Sequence, residues 1–219
     1  HYNPDCKGDI PEDSAKHFAT MEEALQVFAG DPLLSKPGTR FHYSTYGYTV
    51  LGCVLEGAAS QKYVDYVREN IFRPAAMEQT RDDNYFAVIP HRTRFYHQDQ
   101  TGVVRNAGVL DSSYKIPGGG LISSADDLAL FEAAILNDKL MKRATRDIMW
   151  TPQKPADGSR DPYALGWGTF PCRASSSWDT PGASRAPARV LPWHRSGAPE
   201  WWCWRTWTGW TRAAWRMSL

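Results

Sequence analysis

The sequence predicts a mixed α/β (α+β) fold, and three observations support this prediction. Apolar residues recur at helical spacing between residues 50 and 58 and again between 63 and 71. Residues 92–105 carry two short apolar runs around a Gln-Thr-Gly turn, which is typical of a β-hairpin. A chain of 219 residues, 42% of them hydrophobic, is also long enough to bury a core. A hairpin between helical pairs favours α+β or mixed α/β architecture.

The first elements follow from local signals. Pro37 and Gly38 predict a turn, after which residues 41–43 are expected to be extended. A buried helix is then predicted from the spacing of Val50, Leu51, Val54, Leu55 and Ala58. Ser60 is a candidate N-cap for a second helix, which is expected to end at Pro74.

A later helix has a clear start signal. Ser124 and Asp127 form an S-x-x-D pattern, which caps the first turn of a helix. The apolar residues that are expected to share its inner face are Leu128, Phe131, Ile135 and Leu136. Because acidic residues are favoured in the first turn, we interpret Asp126 and Asp127 as helix acids rather than as a catalytic pair.

Composition and charge exclude several functional classes. The 25 basic and 24 acidic residues leave a net charge of +1, which excludes a global electrostatic grip on nucleic acid or anionic lipid. The four cysteines form no C-x-x-C pair, and no run of 18 apolar residues could span a membrane. His91 and His97 lie near Asp99 without metal-ligand spacing. We therefore expect no nucleic-acid partner, no membrane span, no metal and no cofactor.

The composition changes after residue 163. Residues 1–163 contain 8 Lys, 7 Ile, 5 Asn and 10 Tyr, whereas residues 164–219 contain none of these and hold nine of the ten Trp. One interpretation is a stacking platform for single-stranded nucleic acid or sugar. We favour another, a G/C-rich gene read in the wrong frame, because all four missing residue types use A/T-rich codons. Residues 169–219 are accordingly expected to be a disordered, frame-shifted tail.

One segment carries most of the functional signal. Residues 37–48 read Pro-Gly-Thr-Arg-Phe-His-Tyr-Ser-Thr-Tyr-Gly-Tyr, an extended arm that leads into an apolar helix. This pattern resembles the second signature of the penicillin-recognising serine hydrolases, the group of class C β-lactamases and D-alanyl-D-alanine carboxypeptidases. Further segments resemble mitochondrial members of that family, namely residues 62–66, 92–96, 111–128 and 148–152. The resemblance covers roughly residues 20–168, and several ordered matches are more specific than one short motif.

The resemblance implies an incomplete β-lactamase/transpeptidase-like domain, in which helices pack against an antiparallel sheet, and acyl transfer through a serine nucleophile. The family's catalytic tyrosine corresponds to Tyr43, whose phenol needs nearby cations to act as a general base at neutral pH. Thr45 stands where class C enzymes usually have Asn, so an amide that could bind substrate is missing. Gly118, Gly119 and Gly120 are expected to let backbone approach the substrate cleft. The structural alternative is that Tyr43 merely anchors a helix start and that the glycines form a plain loop.

Two family elements are missing at their expected places. The S-x-x-K pattern that holds the serine and its lysine should lie upstream of Tyr43, where residues 1–42 have none. We expect it to precede His1, and we expect residues 1–19 to be a poorly defined N-terminal segment. The pattern at Ser112–Lys115 is interpreted as a chance match, because residues 116–120 are not expected to continue a helix. The strand motif H-T-G is absent too, although one codon choice for residues 179–188 gives His-Thr-Gly-Gly in a shifted frame.

The resemblance also suggests a setting. The whole protein is expected to be a peptidase or related hydrolase of the mitochondrial intermembrane space, linked to lipid metabolism, acting on a peptide or acyl substrate and self-associating into filaments. The 219-residue chain alone is expected to be inactive, because Tyr43 would be its only catalytic residue. The alternative is a scaffold in which the hydrolase fold has lost catalysis and serves self-assembly. An S-x-x-K pattern upstream would favour the enzyme.

Overall fold

A computed structural model describes residues 15–159, 163–172, 175–179 and 193–194. The described part contains seven α-helices, which are α1 Met21–Leu25, α2 Thr45–Ala59, α3 Tyr63–Val67, α4 Arg73–Ala75, α5 Ile116–Gly119, α6 Ala125–Leu136 and α7 Arg143–Met149. Its strands are β1 Arg81–Asp82, β2 Tyr96–Gln98, β3 Val104–Asn106, β4 Leu121–Ile122, β5 Gly168–Cys172, β6 Ser175–Asp179 and β7 Trp193–His194. The mixture of helices and antiparallel strands confirms the predicted fold class.

Helix α2 is the longest described helix, and its start follows from the capping residue. Ser44 has extended backbone angles, and its hydroxyl oxygen accepts a hydrogen bond from the Gly47 N–H at 3.1 Å. The helix forms as predicted, but the predicted buried face is wrong. Its inner residues include Tyr46 and Thr49, whereas the apolar residues of the predicted face are largely exposed, with Val50 at 41%, Leu51 at 59% and Val54 at 62%.

Gly52 lets α2 pack closely against α5 and α1. A methyl group on Gly52 would come within 2.5 Å of Pro117 Cγ in α5 and within 2.7 Å of Met21 Sδ in α1. Pro117 lies in a single helical turn that directly follows a 3₁₀ turn at Ser113–Lys115. Our expectation that residues 116–120 could not continue a helix is therefore wrong for Ile116–Gly119.

The second predicted helix is present with different ends. Ser60 is not its N-cap, because it has left-handed backbone angles (φ 52°) and terminates α2. Helix α3 begins after Lys62, and the Glu56 carboxylate accepts a hydrogen bond from the Tyr63 N–H at 2.7 Å. A π-helical turn then leads into α4, which contains Pro74 near its start and ends one residue later. Proline is tolerated in the first turn of a helix, so Pro74 does not end the helical segment where we expected.

Helix α6 confirms its predicted start. The Ser124 hydroxyl oxygen accepts a hydrogen bond from the Asp127 N–H at 3.1 Å. The buried carboxylate of Asp127 accepts hydrogen bonds from the Gln79 N–H at 2.9 Å and the Thr80 hydroxyl at 2.6 Å, so its role is structural. Phe131 packs against both core clusters, whereas Leu136 is exposed rather than buried. The buried members of these clusters are Ile135, Trp150, Ala164 and Trp167 in one, and Val67, Phe72, Ala75, Met77 and Ala134 in the other.

The described strands form three small antiparallel sheets. Strands β2 and β3 make the predicted hairpin, with His97 opposite Arg105. Strand β1 pairs with β4, and β5, β6 and β7 form a three-stranded sheet. This third sheet occupies part of the segment that was expected to be a disordered tail. Most of that tail lies outside the described residues, as does the start of the N-terminal segment, although Phe18 near its end is buried.

Candidate active site

Tyr43 lies at the joint between the extended arm and helix α2. It precedes the capping residue Ser44, and its side chain is half-buried. The Tyr43 ring meets the Tyr163 ring edge to face, with centroids 5.7 Å apart and planes at 86°. Phe41, two residues earlier on the same arm, contacts the same Tyr163 ring at 5.5 Å. Tyr43 is therefore held by aromatic contacts while part of its side chain stays accessible.

Thr45 and Gly118 are brought into direct contact. Thr45 is the first residue of α2, and a methyl group on Gly118 would come within 2.8 Å of the Thr45 carbonyl oxygen. Only glycine permits this approach without a backbone shift. Two of the predicted substrate-binding residues thus meet at the N-terminus of the helix that follows Tyr43.

The other two glycines have different neighbours. The atoms nearest to a methyl group on Gly120 would be the Ser112 carbonyl oxygen and Ile116 Cα, each at 2.7 Å. For Gly119 the nearest would be the Lys115 side chain, at 4.0 Å. Both therefore lie against the 112–116 turn, and their nearest neighbours do not include Thr45.

Two tyrosines that the sequence analysis did not single out complete this cluster. The hydroxyl groups of Tyr48 and Tyr163 are hydrogen-bonded at 2.7 Å. Burial, together with this hydrogen bond, raises the pKa of Tyr163 far above that of a free tyrosine, so its phenol stays neutral. Tyr48 belongs to the recognised motif and Tyr163 follows it by more than a hundred residues, so only the fold could bring them together.

A second polar cluster centres on Asp111, which is only 1% exposed. The His17 Nδ1–H donates to one carboxylate oxygen at 2.8 Å, and the Ser113 backbone N–H donates to the other at 2.8 Å. Burial alone would raise the pKa of Asp111, but the hydrogen bonds from Ser113 and His17 outweigh it and hold the pKa below its usual value. This cluster fastens residues 17–18 to the turn that leads to Gly118.

A cleft of about 770 Å³ lies beside the Asp111 cluster, lined by His17 and Ser113 among others. Tyr43, Thr45 and the three glycines are not among its lining residues. Acidic side chains are prominent in its wall, and they include Glu22, Glu56, Asp65, Asp82 and Asp83. The predicted catalytic residue and the predicted substrate-binding residues therefore do not line this cleft.

The serine of the Ser112–Lys115 pattern is poorly exposed for a nucleophile. Ser112 is buried and precedes a 3₁₀ turn, and its carbonyl oxygen accepts a hydrogen bond from the Lys115 N–H at 3.1 Å. Burial lowers the pKa of Lys115, and the neighbouring Asp83 carboxylate partly opposes this shift. The burial of Ser112 supports the interpretation of a chance match.

No metal site and no membrane helix are found in the part of the chain that the structure describes. Within residues 15–159 and the described positions beyond them, no three His, Cys, Asp or Glu side chains are grouped as metal ligands. Over the same positions no helix has the length and apolar character needed to cross a bilayer.

The fold is that of the β-lactamase/transpeptidase class. A Beta-lactamase family model matches residues 3–217, so the chain belongs to the Beta-lactamase family, a family of serine hydrolases. The chain is 37% identical over 169 residues to the serine beta-lactamase-like protein LACTB, mitochondrial, of Mus musculus. That match covers 69% of this chain and 30% of the mouse protein, so the chain spans less than a third of this relative.

Solved structures agree with the fold. A D-stereospecific amidohydrolase from Streptomyces sp. superposes with a TM-score of 0.68 at 20% identity, covering 80% of this chain and 53% of that chain. The octameric penicillin-binding protein homologue from Pyrococcus abyssi superposes with a TM-score of 0.64 at 23% identity, covering 85% and 42%. At these identities the two structures establish the fold alone.

Proposed function

We propose that this chain supplies the tyrosine-bearing wall of the acyl-transfer site of a serine hydrolase, with Tyr43 as the general base. The observation that carries this proposal is the position of Tyr43, half-buried at the start of α2, where Thr45 and Gly118 are in contact. A half-buried phenol at a helix start can exchange a proton with a neighbouring hydroxyl and remain reachable by substrate.

The proposed reaction proceeds through an acyl-enzyme. The serine hydroxyl attacks a carbonyl carbon, its proton passes to the Tyr43 phenolate, and the leaving group departs with a proton returned from Tyr43. Water then attacks the acyl-enzyme and regenerates the serine. A phenolate at neutral pH requires adjacent cationic charge, which the lysine of the S-x-x-K pattern would provide.

The serine and lysine of this reaction are proposed to come from sequence upstream of His1. The 219 residues contain one S-x-x-K, at Ser112–Lys115, and its serine is buried. We therefore propose that the 219-residue chain by itself does not form an acyl-enzyme. Thr45 and Gly118–Gly120 are proposed to bind a peptide or other acyl substrate.

The setting is proposed from the relatives. The mouse relative is named as mitochondrial, and the Pyrococcus abyssi homologue as octameric. We propose a mitochondrial location in the intermembrane space, a link to lipid metabolism, and self-association into filaments for the whole protein. Protease protection of intact mitochondria and of mitoplasts, read with an antibody to residues 15–159, tests the location. Protection in both preparations would contradict it.

The decisive experiment extends the chain upstream through its own gene to include S-x-x-K. Acylation by a p-nitrophenyl ester is followed by absorbance and by intact-protein mass spectrometry. Tyr43→Phe is expected to slow acylation by about 10²- to 10⁴-fold, the usual contribution of a general base. Tyr85→Phe, at an exposed tyrosine, is the matched control and should acylate normally. Undiminished acylation of Tyr43→Phe would overturn the proposal.

A non-catalytic scaffold of the same fold is the second candidate, and the exposed apolar face of α2 favours it. Val50, Leu51 and Val54 present adjacent apolar side chains at helical spacing, and such faces often mark association surfaces. Leu51→Glu is expected to abolish self-association in sedimentation velocity, whereas Val88→Glu, at an exposed residue outside α2, should not. Absence of S-x-x-K from the upstream gene would favour this candidate over the enzyme.

The frame-shifted origin of residues 169–219 also stands as a proposal. The genomic nucleotides decide it, because a one-base shift near residue 168 should restore codons for the four missing residue types. Peptides from an in-frame tail in mass spectra of the native protein would contradict it.

A further inference from the structure

We propose that Tyr163 is a positioning residue for Tyr43, an inference that rests on the proposed catalytic role of Tyr43. Tyr163 would act by fixing the direction of the Tyr43 phenol relative to helix α2.

The contacts of Tyr163 link the extended arm to the helix. Its ring is in contact with Tyr43 at 5.7 Å and with Phe41 at 5.5 Å. Phe41 and Tyr43 are two residues apart on an extended segment, so their side chains point to the same side. The hydroxyl of Tyr163 is bonded to that of Tyr48, one turn into α2. One side chain thereby connects the arm before the helix with the helix itself.

The backbone around Tyr163 is itself anchored in the core. The Ala164 N–H donates to the Trp167 carbonyl at 2.6 Å, and the Leu165 N–H donates to the Met149 carbonyl at 3.1 Å. Ala164 and Trp167 are buried together with Trp150. Gly166 has φ +80°, and a methyl group there would lie 3.5 Å from the Tyr48 hydroxyl. The turn at residues 163–167 therefore ties the backbone next to Tyr163 to the core.

Positioning matters because a general base must meet its proton within hydrogen-bond reach. An edge-to-face pair restricts how a ring can tilt and rotate, whereas an aliphatic neighbour does not impose a ring geometry. Loss of the Tyr163 ring would remove this edge-to-face contact and with it one restraint on the direction of the Tyr43 phenol. A misplacement of about 1 Å lowers a rate by as much as about 100-fold.

The test compares two substitutions with a control, in the upstream-extended protein. Tyr163→Leu is expected to lower kcat for a p-nitrophenyl ester about 10- to 100-fold with little change in KM. Tyr163→Phe keeps the ring contacts with Tyr43 and Phe41 and should recover most of the rate. Tyr96→Leu removes an exposed tyrosine from β2 and should be neutral.

A spectroscopic readout in the 219-residue chain makes the test independent of turnover. The nuclear Overhauser contacts of the Tyr43 ring with neighbours other than residue 163, assigned with Tyr43→Phe, should change in Tyr163→Leu and be retained in Tyr163→Phe. If Tyr43→Phe abolishes acylation but Tyr163→Leu leaves kcat and these contacts unchanged, the positioning role is overturned and the proposed function stands. Full acylation by Tyr43→Phe overturns both.

Discussion

The Thr45 carbonyl oxygen lies so close to Gly118 that a methyl group on that glycine would come within 2.8 Å of it. The contact joins the start of α2 to the 116–119 turn, two segments that are more than seventy positions apart in the sequence. It also fixes the distance between the tyrosine-bearing arm and the glycine-rich loop. The first prediction follows from this contact.

Gly118→Ala is expected to destabilise the chain by about 1–3 kcal/mol, because the added methyl group meets backbone rather than a movable side chain. Gly57→Ala is the matched control, since nothing lies within 4 Å of that position in α2. There alanine should stabilise the helix by up to about 1 kcal/mol. Chemical denaturation of both variants measures the difference, and equal stabilities would contradict the close approach.

Stability should depend on pH through Asp111. Its pKa is lowered in the folded state, so its stabilising contribution is present above the unfolded pKa of about 3.9 and is lost as the pH falls through the folded pKa. Asp111→Asn should cost about 1.5–3 kcal/mol at pH 7, since it removes hydrogen bonds to a charged acceptor. It should also flatten the stability curve below pH 5. Asp126 is exposed, so Asp126→Asn should neither lower the stability at pH 7 by this amount nor flatten its pH dependence. Thermal melts of both variants at several pH values measure the difference.

Ser112→Ala should leave acylation of the upstream-extended protein unaffected. Ser112 is buried, so its hydroxyl is not open to an approaching ester. Mass spectrometry after incubation with a p-nitrophenyl ester should find no adduct on this serine. An adduct there, lost in Ser112→Ala, would make it the nucleophile.

Arg146 should be one of the most sensitive charged residues in the described part of the chain. Its buried guanidinium donates to the Ile135 and Leu136 carbonyls, at 2.9 and 3.1 Å, and to the Asp138 carboxylate at 2.9 Å. Arg146→Met leaves these carbonyls at the end of α6 without that donor and should cost about 1–3 kcal/mol. Arg143 is exposed on the same helix, and Arg143→Met should lower the free energy of unfolding by less than about 0.5 kcal/mol, as is usual for surface positions. Urea denaturation distinguishes the two.

The sequence predicted local structure better than burial. The Ser124 cap and the hairpin at residues 92–105 depend on neighbouring residues, and both are present. The prediction of the buried face of α2 was wrong, because helical spacing identifies an apolar face without identifying what covers it. Ser60 was misplaced because a residue at a helix end and one before the next helix differ only in backbone angle, which the sequence does not display.

The site was predictable only where it lies in one continuous motif. Tyr43 and Thr45 follow directly from the pattern at residues 37–48, and Gly118 from the glycine run. Tyr163 reaches the site through its hydrogen bond with Tyr48, which is 115 positions away in the sequence. His17 and Asp111 form their hydrogen bond across 94 positions. No local periodicity encodes such distances, so these residues emerged only from the packed structure.

The bond between His17 and Asp111 has a consequence for biosynthesis. A growing chain that has released His17 must wait for 94 more residues before its partner exists, which at ordinary ribosomal speeds takes about 5 to 20 s. During that interval Phe18, buried once folding is complete, has no access to the Ser113 hydroxyl that will accept from its backbone N–H. Residues 17 and 18 can therefore dock only after residue 113 has been synthesised, and the Phe18 ring cannot be covered by that contact before then.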